Sequence, residues 1–343
     1  MEPAVAGEEA GRALLAAALR AAEGWEFRTF LCGGRAPPGL EGEEADAFRR
    51  AANRALGMAL EEAWKGARTV EFARPEALLR HSPLDGTVEI RVAPLFVYGR
   101  YRKHSRNLAQ TPFHCPECRG RGCPKCGGTG RIVPGSVAEF LLPLLVEAAG
   151  AEEGAFKGCG REDVDVRMLG GGRPFVVVLK SPRKRSLDCE GLRVRAETGA
   201  AGAVEFPVLF PVAAAEGERV PATHPPKRYR ARVEVEGGAT AQDAVRLAAA
   251  LSGAVLAQRT PTRVARRRAD LVRERLVLEA SARLLDDGAI ELEVRTEGGT
   301  YIKEMISGDG GRTAPSASSV LGRPCRCAEL DVLEVEFEGP SSA

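Results

Sequence analysis

Three carboxylates and two guanidiniums fall within seven positions of this chain, Arg161-Glu162-Asp163-Val164-Asp165-Val166-Arg167, directly after Gly160. Such a cluster suits chemistry in which a carboxylate acts as nucleophile or moves a proton while neighbouring cations keep it ionised. If the stretch is extended, Asp163, Asp165 and Arg167 share one face and Val164 and Val166 the other. A half-buried strand that carries Asp between apolar neighbours needs charged partners, because an unpaired buried carboxylate is unfavourable. On these residues alone a solvated turn laced with surface ion pairs is the favoured reading. Neither reading ranks one carboxylate above another.

A second constellation is Cys115-Pro-Glu-Cys118-Arg-Gly-Arg-Gly-Cys123-Pro-Lys-Cys126-Gly-Gly-Thr-Gly130. Each Cys-x-x-Cys pair lets two thiolates converge on one ion, and two pairs complete a tetrahedral four-thiolate zinc site. A redox-active pair is the competing reading. With thiolates at all four positions, a structural zinc is expected rather than a catalytic one. The four-residue gap between the pairs is short for a zinc ribbon, so a cramped geometry is expected. The two Cys-x-x-Cys-x-Gly-x-Gly units resemble the cysteine-rich region of DnaJ-type chaperones, but without a J domain this reads as convergence on a zinc turn. The chain has nine cysteines, an odd number, and four lie in this turn. That usage points to an intracellular metal-binding protein, not a disulfide framework.

Bulk properties narrow the class. The 343 residues suffice for two domains, and 44% hydrophobic content allows a sizeable core. Aromatics at 5% argue against a broad base-stacking platform, and a net charge of +2 means that nucleic-acid affinity must come from local clusters. No apolar run is long enough for a membrane span, and no signal peptide is recognised at the N-terminus. No phosphate-binding GxxxxGK[ST] or strand-linked GxGxxG occurs, and four histidines in the chain give no triad or deaminase pattern.

The elements that must position these groups follow from periodicity. Helices are expected over Ala10 to Glu23, Glu43 to Lys65, Ser136 to Ala149, Asp188 to Glu197 and Thr240 to Ser252, the last capped by Thr240. Strands are expected over Thr69 to Phe72, Thr87 to Tyr98, Pro174 to Leu179, Ala203 to Phe210, Arg228 to Val235, Leu271 to Leu284, Ile290 to Thr296 and Cys325 to Phe337. Ala213 to Pro226 reads as a polar connection. Gly298-Gly299 turns a strand into a short helix with Thr300 near its start, and Ser316 to Leu321 is a last candidate helix. The result is an α+β protein: a small N-terminal accessory domain over residues 1–134, including the zinc turn at 115–130, and a catalytic domain over 135–343 with a mixed, mainly antiparallel sheet. Cations cluster at Arg100 to Arg106, Lys180 to Arg185 and Arg259 to Arg275, each suited to a phosphate backbone or to plain solvation.

Three sequence motifs carry a family resemblance. Gly160-Arg161-Glu162-Asp163 resembles the G-R-x-D segment of pseudouridine synthases, Lys227-Arg228-Tyr229 their second motif, and Gly299-Thr300-Tyr301-Ile302-Lys303 their third. Arg161 to Phe175, Gln258 to Pro261, Arg267 to Leu271 and Ser307 to Pro315 are similar to the archaeal- and eukaryotic-type tRNA pseudouridine synthases acting on uridines 54 and 55 of the T-loop. The resemblance implies that Asp163 is the nucleophile, with Asp165 its rival by chemistry and Asp163 favoured by motif register. It further implies that Lys303 pairs with Asp163, with Arg161 a second candidate, and that Tyr229 stacks on the flipped uracil. Tyr301, Arg102, Lys103, Arg183, Lys184, Arg185, Arg266 and Arg267 would contact tRNA. No catalytic cofactor is implied beyond structural zinc on Cys115, Cys118, Cys123 and Cys126. The accessory domain would be a THUMP-like RNA-binding module; an intracellular protein of cytoplasm or nucleus is expected, with oligomeric state open and a monomer the simplest expectation. Members often carry a further Cys-x-x-Cys near the N-terminus, where this chain has Cys32 alone; a shortened domain or a late start is expected. A zinc-containing RNA-binding protein that keeps the fold without catalysis is the alternative.

Overall fold

The structure, a computed structural model, describes residues 2–82, 85–267 and 269–341, without the side chains of 2–8, 266 and 267. Two compact units interleave in sequence. Met1–Phe96, Leu142–Ala155 and Val178–Asp188 form the first; Val97–Leu141, Phe156–Val177 and Cys189–Ala343 form the second. The expected single boundary after residue 134 is therefore not the observed division. The four-cysteine turn belongs to the second unit.

The first unit contains α1 (Glu2–Ala21), β1 (Thr29–Gly34), α2 (Gly42–Ala63), β2 (Thr69–Val70), β3 (Ala77–Ser82) and β4 (Thr87–Val92). The strands lie in the order β2-β1-β3-β4, with β1 parallel to β2 and β3, and β3 antiparallel to β4. Leu14, Ala18, Phe30, Leu56, Leu60 and Leu79 form the core beneath the helices. Helix α2 lies where its periodicity places it, whereas α1 begins at Glu2, eight residues before the expected start. Strands β1 and β3 were not foreseen, since β1 ends in two glycines and β3 in His81-Ser82. The strand expected from Thr87 to Tyr98 is broken at Ala93-Pro94, because proline cannot donate to a ladder.

The remaining elements are β5 (Leu95–Lys103), α3 (Val137–Ala149), β6 (Glu153–Gly158), β7 (Arg167–Lys180), α4 (Cys189–Ala200), β8 (Val204–Val212), α5 (Ala214–Ala222) and β9 (Lys227–Val235). They continue with α6 (Ala241–Leu251), β10 (Val255–Arg259), β11 (Val272–Leu284), β12 (Ile290–Thr296), α7 (Ile302–Ser307), β13 (Thr313–Ala314), α8 (Ala317–Leu321) and β14 (Cys325–Val335). Among the described residues they make a ten-stranded sheet ordered β13-β10-β11-β12-β9-β14-β7-β5-β8, with β6 on β7. Strand β10 is antiparallel to β11 and β13, β12 to β11 and β9, and β14 to β9, while β14 and β7 run parallel. The class is mixed α+β. The connection expected over Ala213 to Pro226 contains α5, which tolerates Pro221 near its C-terminal end.

Two departures shape the site. First, Asp163 to Asp165 is a turn, closed by the Val166 N–H donating to the Asp163 carbonyl at 3.2 Å, and β7 starts only at Arg167. Of the two readings the turn is the one formed, and the alternation of carboxylates along an active-site strand does not exist. Second, β5 continues through the basic stretch as far as Lys103, and strand alternation turns Tyr101 and Lys103 inward. Where β7 meets β14, a Cβ at Gly170 would stand 1.9 Å from the Leu333 carbonyl oxygen, and Gly170 has φ +56°. Only glycine fits that crossing.

Candidate active site and metal centre

The turn carrying Asp163 is held from inside by its backbone. Lys103 Nζ donates to the carbonyls of Leu108 (2.7 Å), Asp163 (3.1 Å) and Val164 (2.9 Å). Arg106 Nη1 donates to the Asp165 carbonyl at 2.9 Å, and Gln110 Nε2 to the Gly160 carbonyl at 3.0 Å. Lys103 has no solvent exposure, so the expected tRNA contact is corrected: an ammonium with three carbonyl acceptors cannot reach a phosphate. Burial pulls its pKa down to about 8, against the attraction of Glu162.

Glu162 points the opposite way from its neighbours. Its buried carboxylate accepts from Tyr101 Oη at 2.8 Å and lies 2.8 Å from Arg173 Nε, an ion pair whose N–H is off line for a hydrogen bond. Burial, together with Glu162, raises the Tyr101 phenol well above its usual range. The carboxylate next to Asp163 is therefore a buried anchor of the fold.

The Asp163 side chain faces out, 40% exposed. Arg263 Nη1 donates to it at 3.0 Å from Oδ1 and 2.9 Å from Oδ2. Lys303 Nζ is 3.5 Å from Asp163 Oδ2 but 2.7 Å from both oxygens of Asp165, so the expected Lys303–Asp163 pair is secondary to Lys303–Asp165. Partial burial works against ionisation of Asp165, yet Lys303 prevails and holds its carboxyl below the ordinary value. Arg263 also grips Glu304, with Nε at 2.6 Å from Oε1 and Nη2 at 3.4 Å from Oε2. Burial disfavours the Arg263 charge, and the two carboxylates more than offset it, raising its pKa.

Glu304 follows Lys303 on α7, whose Ile302, Met305 and Ile306 are buried. The helix entry is fixed by buried Gln258, whose amide accepts from the Tyr301 N–H at 2.9 Å and donates to its carbonyl at 3.0 Å. A 3-10 turn over Thr262–Arg267 carries Arg263, and Asp309 accepts from the Thr262 N–H at 2.8 Å. In the sequence Arg263 is one cation of a general basic stretch, and nothing local sets it apart from its neighbours.

Tyr229 lies on β9, opposite Val294 and Val332 of the flanking strands, and is buried. Burial pushes its phenol up to about 12, with Arg173 opposing and Glu162 adding. Arg161 is exposed, its guanidinium 5.7 Å from the centre of the Phe113 ring. Arg102 donates to the Gly170 carbonyl at 2.7 Å and pairs with Glu205 at 3.0 Å while remaining partly exposed. Arg183 stacks over Trp25 at 3.8 Å and Lys184 is exposed. Arg185 is largely covered, donating to the Ala93 carbonyl at 2.8 Å beside Glu76, so its expected phosphate contact is replaced by a structural one. The side chains of Arg266 and Arg267 lie outside the described residues.

The four cysteines form the second centre. Their sulfurs all lie within 4.8 Å of one another, with Cys115–Cys123 and Cys118–Cys126 at 3.8 Å and Cys123–Cys126 at 3.7 Å. A tetrahedron of Zn–S bonds near 2.3 Å has an edge of about 3.8 Å, so the donor set can hold a metal of that size. The short gap does not cramp it, because the two units pack glycine on glycine. A Cβ at Gly122 would fall 2.5 Å from the Gly128 carbonyl oxygen, and one at Gly130 2.3 Å from that of Gly120. Gly122 and Gly130 also donate their N–H groups to Cys118 and Cys126 Sγ at 3.2 Å.

Fold and site together define a mixed α+β protein that holds a solvent-facing aspartate between cations and carries a four-cysteine turn. The family model described as Pus10, C-terminal, matches residues 96–336. The tRNA pseudouridine synthase Pus10 of Korarchaeum cryptofilum is 46% identical over 267 residues, 77% of this chain and 71% of that protein. The protein of that name from Methanothrix thermoacetophila is 41% identical over 293 residues, covering 85% and 64%. That from Pyrococcus furiosus is 39% identical over 331 residues, covering 92% and 79%. This chain belongs to the Pus10 family. It spans between 64% and 79% of the length of these three relatives. Among the described residues, no helix is long and apolar enough to cross a membrane.

Proposed function

We propose that this chain isomerises uridine to pseudouridine in tRNA, at T-loop position 54, 55 or both, with Asp163 as nucleophile. Support comes from relatives named as tRNA pseudouridine synthases over most of the chain. The observation that carries the assignment of Asp163 is the division of its contacts. Its backbone is fixed from inside by Lys103, while its carboxylate faces solvent between Arg263 and Lys303. Glu162 is buried in an internal ion pair and drops out; Asp165 is itself exposed and held through both oxygens by Lys303, so motif register, not exposure, ranks Asp163 above it.

In the reaction the bond between ribose C1′ and uracil N1 breaks and one between C1′ and C5 forms; C5 loses a proton and N1 gains one. Atoms balance within the substrate. Asp163 attacks the target nucleotide to free the base, and Tyr229 stacks on it while it turns. Arg161 and Tyr301 flank the reacting nucleotide, and partly exposed Arg102 with exposed Arg183 and Lys184 meet backbone phosphates. Zinc on Cys115, Cys118, Cys123 and Cys126 would cross-link the turn and supply no reaction chemistry. The first unit serves as a THUMP-like RNA-binding accessory.

Asp163→Asn should lower pseudouridine formation on an unmodified tRNA at least about a thousandfold, with binding retained. Nucleotide-resolution mapping of the product reads both rate and position. Wild-type-like product formation by the variant would refute the nucleophile. Elemental analysis should return about one zinc per chain on four thiolates; a folded, active, metal-free protein would sink the zinc reading.

A further inference from the structure

Lys303 is the cation expected beside Asp163, yet it binds Asp165 more closely, at 2.7 Å against 3.5 Å. The group that touches both oxygens of Asp163 is Arg263. We infer that Arg263 is the positioning residue for Asp163, and that Glu304 fixes Arg263 for that task. The inference rests on Asp163 being the nucleophile.

Guanidinium geometry supports the assignment. Arg263 uses Nη1 for Asp163 and its Nε edge for Glu304, so one planar fork spans two carboxylates. A lysine has a single nitrogen and cannot do both at these distances. Arg263 is 39% exposed and would be free to sample rotamers alone, but Glu304 is 6% exposed and rigidly placed by its buried neighbours on α7. The backbones on both sides are tied as well, through Gln258 to Tyr301 and through Asp309 to Thr262. The chain Glu304, Arg263, Asp163, Lys303, Asp165 alternates in charge, so each link orients the next. A nucleophile displaced by about an ångström loses on the order of a hundredfold in rate. That is the scale at which Arg263 should act, through Asp163 and not through RNA affinity.

The test compares Arg263→Lys, Glu304→Gln and the double variant by single-turnover rate at saturating tRNA, dissociation constant and melting temperature. Rates are normalised to folded, RNA-binding protein. Arg263→Lys should lower the saturated rate about a hundredfold, with affinity changed less than about threefold. Glu304→Gln should lower it about tenfold, and the double variant should match Arg263→Lys, because Glu304 acts only through Arg263. Lost affinity with an intact saturated rate would make Arg263 an RNA contact and overturn the inference. Multiplying effects in the double variant would overturn the part assigned to Glu304. Unchanged rates in both single variants would overturn the whole. If Asp163→Asn remains active the nucleophile reading fails first; if it is inactive while Arg263→Lys is normal, only this inference fails.

Discussion

The cationic stretches 100–106 and 259–275 look alike in sequence and are put to different uses. In the first, Arg100 donates to the carbonyls of Gly172 and Phe337, Lys103 to three more, and Arg106 to those of Asp165 and Leu330. Lys103 and Arg106 thus hold the backbone of the turn bearing Asp163, while Arg100 ties β5 to other backbone carbonyls. In the second, Arg263 joins a solvent-facing carboxylate, Asp163, to a buried one, Glu304, and Arg259 shares Asp270 with Arg312. Cation density alone therefore says nothing about direction. Strand alternation sends every second side chain of β5 inward, whereas the 3-10 turn carrying Arg263 lies outside the sheet.

The largest effect that could break this contrast is on folding. Lys103→Met removes three donated hydrogen bonds from the interior and leaves Glu162 with one fewer cation nearby. It should destabilise the protein by about 3–5 kcal/mol, read from the denaturant midpoint. Near-native stability with weakened tRNA binding would restore Lys103 to the RNA surface and erase the difference.

A second, smaller effect lies in buried Asp331, which collects Arg167 at 2.7 Å, Arg106 at 2.7 Å and Arg230 at 3.4 Å. Burial raises its carboxyl, but the guanidiniums win and hold it below its usual 3.8. A depressed acid stabilises the fold fully above its unfolded value and ceases to do so as pH falls through its native value. The stability advantage of wild type over Asp331→Asn, about 2–4 kcal/mol at pH 7, should therefore shrink below about pH 3.8. An advantage independent of pH would mean that shape, not charge, is what Arg106 and its partners recognise.

Legibility in the sequence followed the range of the contact. Helix α6 was readable because its cap is local: Thr240 Oγ1 accepts from the Asp243 N–H three residues on. The cysteine turn was readable because its donors fall within 12 residues. Asp163 and Lys303 could be put in one site only through motif resemblance, and they stand 3.5 Å apart. What stayed hidden is decided by distant partners. Glu162 is made internal by Tyr101, 61 positions away, and Arg263 is made singular by Asp163, 100 positions away. Glu162-Asp163 offers no periodicity to say which carboxylate turns in, because the segment is a turn and not the strand that its valines suggested.

The smallest effect sharpens the contrast inside the first stretch itself. Arg102 alternates with Lys103 on β5 and leans outward, on the Gly170 carbonyl and on Glu205, with both side chains of that ion pair over a third exposed. A pair so placed contributes at most about 1 kcal/mol, so Arg102→Ala should barely move the melting transition. If Arg102 lends its charge to RNA, the same change should weaken binding about equally for all tRNA sequences and lower the slope of log affinity against log salt by about one. Loss of stability comparable to that of Lys103→Met would show that the outward face of β5 is also internal scaffolding. A salt slope unchanged from wild type would remove Arg102 from the RNA surface and leave the basic stretch of β5 with structural work alone.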